Sequence, residues 1–144
     1  SLSLQAVERL TSILVLPHPQ REAPELTNLR QNPETERIAM EFVIAHERSL
    51  GRQVFDVSEK NLGYDVTSLD VNSGDLRLIE VKGLGAASGG VILTPNERKT
   101  AEDRPDCYWL YVVTNCNTTP TLEQIPNPAR FDWHEVQKVA HYSL

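Results

Sequence analysis

The sequence contains few cysteines and no long apolar stretch. Its only cysteines among 144 residues are Cys107 and Cys116, so a disulfide framework of the kind that staples small secreted domains is a poor interpretation. A run of about 18 apolar residues, which a membrane-spanning helix requires, is absent. The first residues do not resemble a targeting peptide either. We therefore expect an intracellular, cytoplasmic protein with no membrane partner, whose length suits one domain with its own core.

Positive charge is also scarce. Lys and Arg together number 14 against 20 Asp and Glu, and the formal net charge is −6. Nonspecific binding to nucleic acid depends on clustered Lys and Arg. The low number of basic residues therefore argues against a protein that binds nucleic acid over its whole surface. Any such contact must be local. A cluster of carboxylates that collects a metal ion would itself explain part of the acidic excess.

Several familiar motifs are missing. The glycines between residues 83 and 90 form no phosphate-binding or dinucleotide fingerprint, and no Ser/His/Asp order typical of a hydrolase stands out. His46, His134 and His141 lack the spaced partners of a zinc site, and the two cysteines are expected to behave as buried apolar residues. The function must therefore depend on other polar groups.

Prolines set the N-terminal segment apart. Apolar residues at roughly helical spacing predict a helix over residues 2–16, and three prolines within residues 17–24 end it. We predict that residues 1–32 comprise this helix and a proline-rich linker, followed by one domain over residues 33–144. Because the sequence starts with Ser1 and not with Met, we expect it to be a segment of a longer protein.

Two helices are predicted within the domain. The stronger pattern runs from Pro33 to Gly51, with a proline at a first-turn position and two glutamates near the positive end of the helix dipole. Thr94 or Asn96 can cap a second helix that runs to about Arg104.

Four strands are predicted around these helices, at residues 54–57, 64–71, 76–82 and 108–114. The order is thus a helix, three strands, a helix and a strand, which indicates an α/β fold (α+β, with a mixed sheet). After it, residues 117–130 are predicted to be a loop because they contain three prolines, and residues 131–144 are too short a segment to classify.

Two of the strands form a predicted antiparallel hairpin that carries polar residues. The segment 72–75, Asn-Ser-Gly-Asp, has turn chemistry, and it lies where the turn centre falls if Asp65 is opposite Glu80. Residues two apart on a strand share a face, so Glu80 and Lys82 point to one side while Val81 enters the opposite layer. We predict that Glu80 and Lys82 line a cleft, presented to solvent and not buried.

Asp65, Glu80 and Lys82 are the candidate catalytic residues. Two carboxylates a strand apart offer oxygen ligands to Mg²⁺ or Mn²⁺, and Mg²⁺ typically uses one or two protein carboxylates, several waters and phosphate oxygens. The lysine can orient a water and stabilise phosphate charge. A second interpretation stays open, in which the acids are ordinary solvated residues and Lys82 pairs across the strand. Glu97, beside Asn96, is expected to stabilise the helix dipole rather than to contact substrate.

At these residues the chain resembles the PD-(D/E)XK, or restriction-endonuclease-like, nuclease superfamily, with Asp65 as the motif aspartate and Glu80-Val81-Lys82 as the E-x-K element. A more specific resemblance, over about residues 36–114, is to the domain at the C-terminus of the plant protein NO VEIN and of many bacterial helicase-like proteins. It rests on an ordered set of short motifs: Leu50-Gly51-Arg52, Asp56-Val57-Ser58, Asn61-Leu62-Gly63-Tyr64-Asp65, Ile79-Glu80-Val81-Lys82-Gly83 and Leu93-Thr94-Pro95-Asn96-Glu97. The resemblance implies a restriction-endonuclease-like αβββαβ core with flanking helices. Activity is a separate question, because superfamily members often lose it.

Sites of this superfamily commonly add a carboxylate from the first helix. The candidates are Glu34, Glu36, Glu41 and Glu47. The first two are explained as first-turn partners of the helix dipole. Glu41 falls inside the expected buried stripe with Ile38 and Ala45, where a carboxylate needs a reason. We predict that Glu41 joins the metal site, with Glu47 as the next choice.

Two hypotheses from different classes of function follow. In the first, the domain hydrolyses DNA phosphodiester bonds with Mg²⁺ or Mn²⁺, with DNA as its partner and helicase or other domains linked to it in a longer chain. Asp65, Glu80 and Glu41 would serve the metal and Lys82 would position the water. The candidate contacts to flanking phosphates are Arg52, Lys60, Arg98 and Lys99. In the second, which the acidic net charge favours, the domain is a noncatalytic DNA-binding or protein-docking module on the same fold.

Overall fold

A computed structural model describes residues 7–15 and 32–139, and the side chains of residues 32–134. The helices and strands in chain order are β1 (Val7–Val15), α1 (Pro33–Ser49), β2 (Gln53–Asp56), β3 (Val66–Leu69), β4 (Leu76–Gly83), β5 (Gly90–Leu93), α2 (Pro95–Asp103), β6 (Tyr108–Thr114), β7 (Thr121–Pro126) and β8 (His134–Val139). The predicted mixed α/β fold is confirmed. The predicted order of a helix, three strands, a helix and a strand is also present, with β5 inserted before α2.

Helix α1 begins where its sequence predicts. The side chain of Asn32 accepts hydrogen bonds from the backbone N–H groups of Glu34 and Thr35, and Pro33 occupies a first-turn position that needs no N–H partner. The buried face of the helix repeats every four residues, at Thr35, Ala39, Val43 and Glu47. This face packs on the central strand β4.

The main sheet has five strands in the order β2-β3-β4-β6-β7. Strands β4 and β6 are parallel, whereas the other neighbours are antiparallel. In the β3–β4 hairpin, Val66 lies opposite Ile79, and Gly74 in the connecting turn has a φ of +79°, which favours glycine. The predicted antiparallel hairpin and its register are confirmed.

The two faces of β4 enter different layers, as the two-residue period of a strand requires. Ile79 and Val81 belong to a core cluster with Ala39 and Val43 of α1. Leu78 packs on the opposite face, in a cluster with Ala101 of α2. Glu80 and Lys82, which share the face of Leu78, therefore lie on the side of the sheet that α2 covers.

The N-terminal helix prediction is wrong for the residues that the structure describes. Residues 7–15 form strand β1, which pairs antiparallel with β5 and with β8 in a three-stranded sheet. Val7, Thr11, Ile13 and Val15 are β-branched, which favours a strand. Their apolar spacing also suited a helix, and the distant partner strands decide between the two. Most of the predicted proline-rich linker lies outside the described residues.

The loop prediction for residues 117–130 is also wrong in part. Residues 121–126 form the edge strand β7, paired antiparallel with β6 from Trp109 opposite Pro126 to Thr114 opposite Thr121. Most of its side chains are exposed, so the strand lacks the continuous apolar run that marks a buried strand. Its proline stands at the strand end, a position that an edge strand tolerates.

Candidate active site

The β3–β4 hairpin places Asp65 opposite Glu80. The backbone N–H of Asp65 donates to Ile79 O at 2.8 Å, which extends the ladder one residue beyond β3. The backbone N–H of Val81 donates to Asp65 Oδ2 at 2.9 Å, which fixes the direction of the carboxylate. Both carboxyl side chains line one pocket, so the two acids lie on the same side of the hairpin. The predicted adjacency of these two acids is confirmed.

Glu80 is more deeply buried than its sequence predicted. Its side chain is 3% exposed, and its Oε1 has no hydrogen-bond partner. Burial raises the pKa of Glu80 well above the ordinary value of a glutamate, and the charge of Asp65 adds to the rise. Burial also raises the pKa of Asp65, although the Val81 N–H and the Glu80 side chain oppose this effect. The expectation that Glu80 and Lys82 are presented to solvent is therefore wrong, although both border a pocket.

Lys82 stands between two carboxylates. Its Nζ lies 3.1 Å from Glu80 Oε2 and 3.0 Å from Glu97 Oε1. Burial disfavours the ammonium charge, but Glu80 and Glu97 outweigh that effect and raise the pKa of Lys82. The lysine is therefore fully charged at neutral pH and held beside the two acids of the hairpin.

Glu97 comes from the first turn of α2. Its Oε1 accepts from the backbone N–H of Thr94 at 3.0 Å, and Thr94 Oγ1 accepts from the backbone N–H of Glu97 at 3.2 Å. This is a complete capping box, so the expected contribution of Glu97 to the helix terminus is confirmed. Its contact with Lys82 was not predictable from local sequence patterns, because the two residues are 15 positions apart on different elements and come together only in the folded structure.

A pocket of about 420 Å³ opens beside these groups. The residues that line it are Pro33, Glu36, Arg37, Met40, Ser58, Asp65, Glu80, Val81, Lys82 and Glu97. The hairpin, α1 and α2 each contribute polar side chains. The predicted cleft lined by Glu80 and Lys82 is thus present.

The carboxylate that α1 brings to the pocket is Glu36, and the prediction of Glu41 is wrong. Glu41 does not line the pocket; its side chain is 67% exposed and accepts a hydrogen bond from Arg37 at 2.8 Å. Arg37 lines the pocket and also binds Glu34. Glu36 is about one helical turn from Pro33 and from Met40, which also line the pocket. The three residues therefore share one face of α1, and this spacing is the sequence feature that could have indicated Glu36.

Glu47 is the carboxylate on the buried face of α1. It is 0% exposed and binds Arg77 at 3.0 Å, with Arg52 at 3.6 Å and the Tyr111 hydroxyl at 3.0 Å. It does not line the pocket. The predicted helical phase, with Glu41 facing inward, was therefore wrong, because apolar residues occur on several faces of α1.

The predicted phosphate contacts are dispersed. Arg52 is 7% exposed and bonds to Ser68 and Asp75, so it is a structural residue and the prediction for it is wrong. Lys60 is exposed in a short 3₁₀ turn, Ser58–Lys60, that begins at a pocket residue. The α2 residues have acidic neighbours: Lys99 pairs with Asp103 at 3.0 Å, and Arg98 lies 3.9 Å from Glu102. Arg37, which the sequence analysis missed, is the guanidinium that lines the pocket.

The charges of the pocket fit a divalent cation. The lining carboxylates, at Glu36, Asp65, Glu80 and Glu97, outnumber the two cationic groups, at Arg37 and Lys82. Across the described residues, no group of three or more His, Cys, Asp and Glu side chains is arranged to hold a metal ion. Mg²⁺ typically needs only one or two carboxylates, however. Asp65 and Glu80, whose Oε1 lacks a hydrogen-bond partner, are two carboxylates on neighbouring strands that line one pocket, and they therefore fit such an ion.

The fold and the pocket define a mixed α/β domain that places two acids and a lysine side by side on a hairpin. The family model described as Protein NO VEIN, C-terminal, matches residues 35–125, and the chain belongs to this family. The matched range contains α1 from its third residue onward, the hairpin, α2 and every residue of the pocket except Pro33. Comparisons with curated proteins and with solved structures found no match. Neither helix in the described part of the chain is long and apolar enough to cross a membrane.

Proposed function

We propose that this domain hydrolyses DNA phosphodiester bonds with a divalent metal ion, and that it is a PD-(D/E)XK-type nuclease domain linked to helicase or other domains of a longer protein. The observation that carries the proposal is the buried Glu80 carboxylate, which has a partnerless oxygen, shares a pocket with Asp65 and lies 3.1 Å from the Lys82 ammonium. A buried carboxylate oxygen without a hydrogen-bond partner is costly. Two carboxylates side by side also repel each other, and a cation that binds both relieves this repulsion.

The residues have distinct roles in this proposal. Asp65 and Glu80 would hold Mg²⁺ or Mn²⁺, and Glu36 faces them across the pocket from α1. A divalent cation in such a site supplies Lewis acidity and lowers the pKa of a bound water. Lys82 would orient the attacking water and offset the negative charge that develops on the phosphate. The backbone N–H of Val81 keeps Asp65 aimed at the pocket.

Arg37 and Lys60 would bind phosphates on either side of the scissile bond. Arg37 lines the pocket, and Lys60 is two residues from Ser58, another lining residue. Arg37 is paired with Glu34 and Glu41 in exposed ion pairs, which are weak and easily exchanged for a phosphate partner. Such local contacts are compatible with a net charge of −6.

The test is cleavage of end-labelled single- and double-stranded DNA by the purified chain with Mg²⁺, with Mn²⁺ and with chelator. Asp65→Asn, Glu80→Gln and Lys82→Met should each reduce turnover by about 100-fold or more. Glu123→Gln, which changes an exposed carboxylate on β7, is the matched control and should cleave normally. Mn²⁺ affinity, measured by titration, should fall for the two acid variants and stay equal or rise for Lys82→Met, which removes a neighbouring positive charge.

The acidic net charge supports the noncatalytic module as the second candidate. If the wild-type chain cleaves no DNA with either metal, and DNA binding survives all three site substitutions, the nuclease proposal is wrong and the module replaces it. Loss of cleavage in Glu123→Gln as well would show that the assay reports general damage and not the site.

A further inference from the structure

The first turn of α2 packs against the segment that leads into Asp65. Gly63 has a φ of +89°, and a Cβ atom there would collide with the Thr100 side chain and approach Asn96 O to 3.2 Å. The Tyr108 hydroxyl donates to Gly63 O at 2.6 Å. Gly63 lies two residues before Asp65. Contacts with helix α2 and strand β6 therefore both fix the backbone segment that precedes Asp65.

The same turn of α2 reaches the lysine through its capping box. In a capping box, the carboxylate at the third helical position normally accepts only from the N-cap backbone N–H. Here one oxygen, Glu97 Oε1, accepts from Thr94 N and from Lys82 Nζ, both at 3.0 Å. The backbone of Glu97 is held in turn by Thr94 Oγ1 at 3.2 Å. The position of this oxygen is thus set by the helix and not by the flexibility of a free side chain.

The two carboxylate partners of Lys82 are not equivalent. Glu80 belongs to the same strand as the lysine, lies opposite Asp65 in the register of the hairpin, and is one of the two proposed metal ligands. Glu97 belongs to another element and has no ligand role in the proposed site. If Glu80 binds a cation, Glu97 is the carboxylate that remains as the partner of Lys82. The side chain of Lys82 is only 11% exposed.

We propose that Glu97 is a positioning residue that holds the Lys82 ammonium at the acid pair through Oε1, the oxygen that the backbone N–H of Thr94 fixes. Its effect on turnover rests on the proposed nuclease function, whereas its effect on the lysine does not. A buried ammonium needs a hydrogen-bond acceptor, and a helix-anchored acceptor restricts the lysine to one rotamer. Helix α2 thereby aligns Asp65 and Lys82 with each other.

Glu97→Gln separates this role from helix capping. The glutamine keeps an oxygen for the Thr94 N–H, since Gln serves at this position of a capping box, but it removes the charge that holds Lys82. Thr94→Ala is the matched control, because it removes the acceptor of the Glu97 N–H and leaves the Glu97–Lys82 contact. Two readouts apply to both variants: the proton–nitrogen correlation signal of the Lys82 ammonium in the metal-free chain, and the kinetics of DNA cleavage.

We expect the ammonium signal of Lys82, protected from exchange in the wild type, to broaden or vanish in Glu97→Gln while the chain remains folded and unfolds cooperatively. Turnover should fall by about 100-fold, the size of effect seen when a reacting group is misplaced by an ångström, with KM little changed. Thr94→Ala should lower the unfolding temperature and retain both the signal and the turnover. Glu97→Asp, which restores the charge, should recover part of the signal.

The positioning role is refuted if the Lys82 signal in Glu97→Gln matches that of the wild type, or if Glu97→Gln and Thr94→Ala behave alike in both readouts. A wild-type chain that cleaves no DNA would refute the nuclease proposal alone, because the ammonium signal is measured without metal or substrate.

Discussion

Arg77 donates through Nη1 to both carboxylate oxygens of Glu47, at 3.0 and 3.1 Å. Glu47 and Glu80 are the two deeply buried glutamates of the described residues, 0% and 3% exposed. Glu47 has a guanidinium and the Tyr111 hydroxyl as partners, whereas Glu80 leaves Oε1 without one. Saturated hydrogen bonding explains a buried acid as part of the structure. An unsaturated acid that borders a pocket indicates a place for a ligand.

Glu47→Gln should destabilise the chain without affecting metal binding. The substitution removes the buried negative charge that Arg77 and Arg52 share and leaves these partly buried guanidinium groups with Asp75 as their remaining carboxylate. We expect a loss of about 3 kcal/mol in the free energy of unfolding, as for other broken buried ion pairs. Urea unfolding measures the loss, and Mn²⁺ titration should give the wild-type affinity. A chain of unchanged stability would mean that the Glu47 network contributes no net energy.

Glu36→Gln and Glu41→Gln form a matched pair on one helix. Glu36 lines the pocket, whereas Glu41 is exposed and bound to Arg37. A carboxylate that supports a metal site indirectly typically changes affinity or activity by about 10- to 100-fold, so Glu36→Gln should weaken Mn²⁺ binding to that extent. Glu41→Gln should bind Mn²⁺ as the wild type does. Equal effects of the two substitutions, read by the same titration, would contradict the assignment of Glu36.

Glu80→Gln should stabilise the metal-free chain increasingly as pH rises. The pKa of Glu80 is raised in the folded state, mainly by burial, so the folded state retains a proton that the unfolded chain loses above about pH 4.5, the ordinary value. Stability therefore falls with rising pH between that value and the folded-state pKa, because the unfolded state binds fewer protons. Glutamine removes this dependence. Thermal unfolding of both chains across the acid-to-neutral range measures the difference.

The same comparison with saturating Mn²⁺ is its control. A bound cation stabilises the ionised carboxylate of the wild type, so the advantage of Glu80→Gln should shrink or reverse when metal is present. A stability difference that does not vary with pH would contradict the raised pKa of Glu80.

Local patterns were sufficient for the centre of the candidate site. The turn at residues 72–75 and the two-residue period of a strand together predicted that Asp65 lies opposite Glu80 with Lys82 on the same face, and the register confirms the pairing. The cap at the start of α1 was predictable for the same reason. Each of these features depends on residues that are near one another in the chain or related by a single turn.

Long-range packing decided the rest. Apolar residues lie on several faces of α1, so its sequence left the helical phase open, and contact with β4 selected the face of Ala39 and Glu47 over that of Glu41. Residues 7–15 were compatible with a helix until the distant strands β5 and β8 supplied hydrogen-bond partners. The ion pair between Lys82 and Glu97 connects β4 with α2, and α2 lies in the chain between the parallel strands β4 and β6. The sequence by itself thus determined the hairpin and its acid pair, because a strand has only two faces. The tertiary structure decided what surrounds them, because a helix can present any of its faces and only packing selects one.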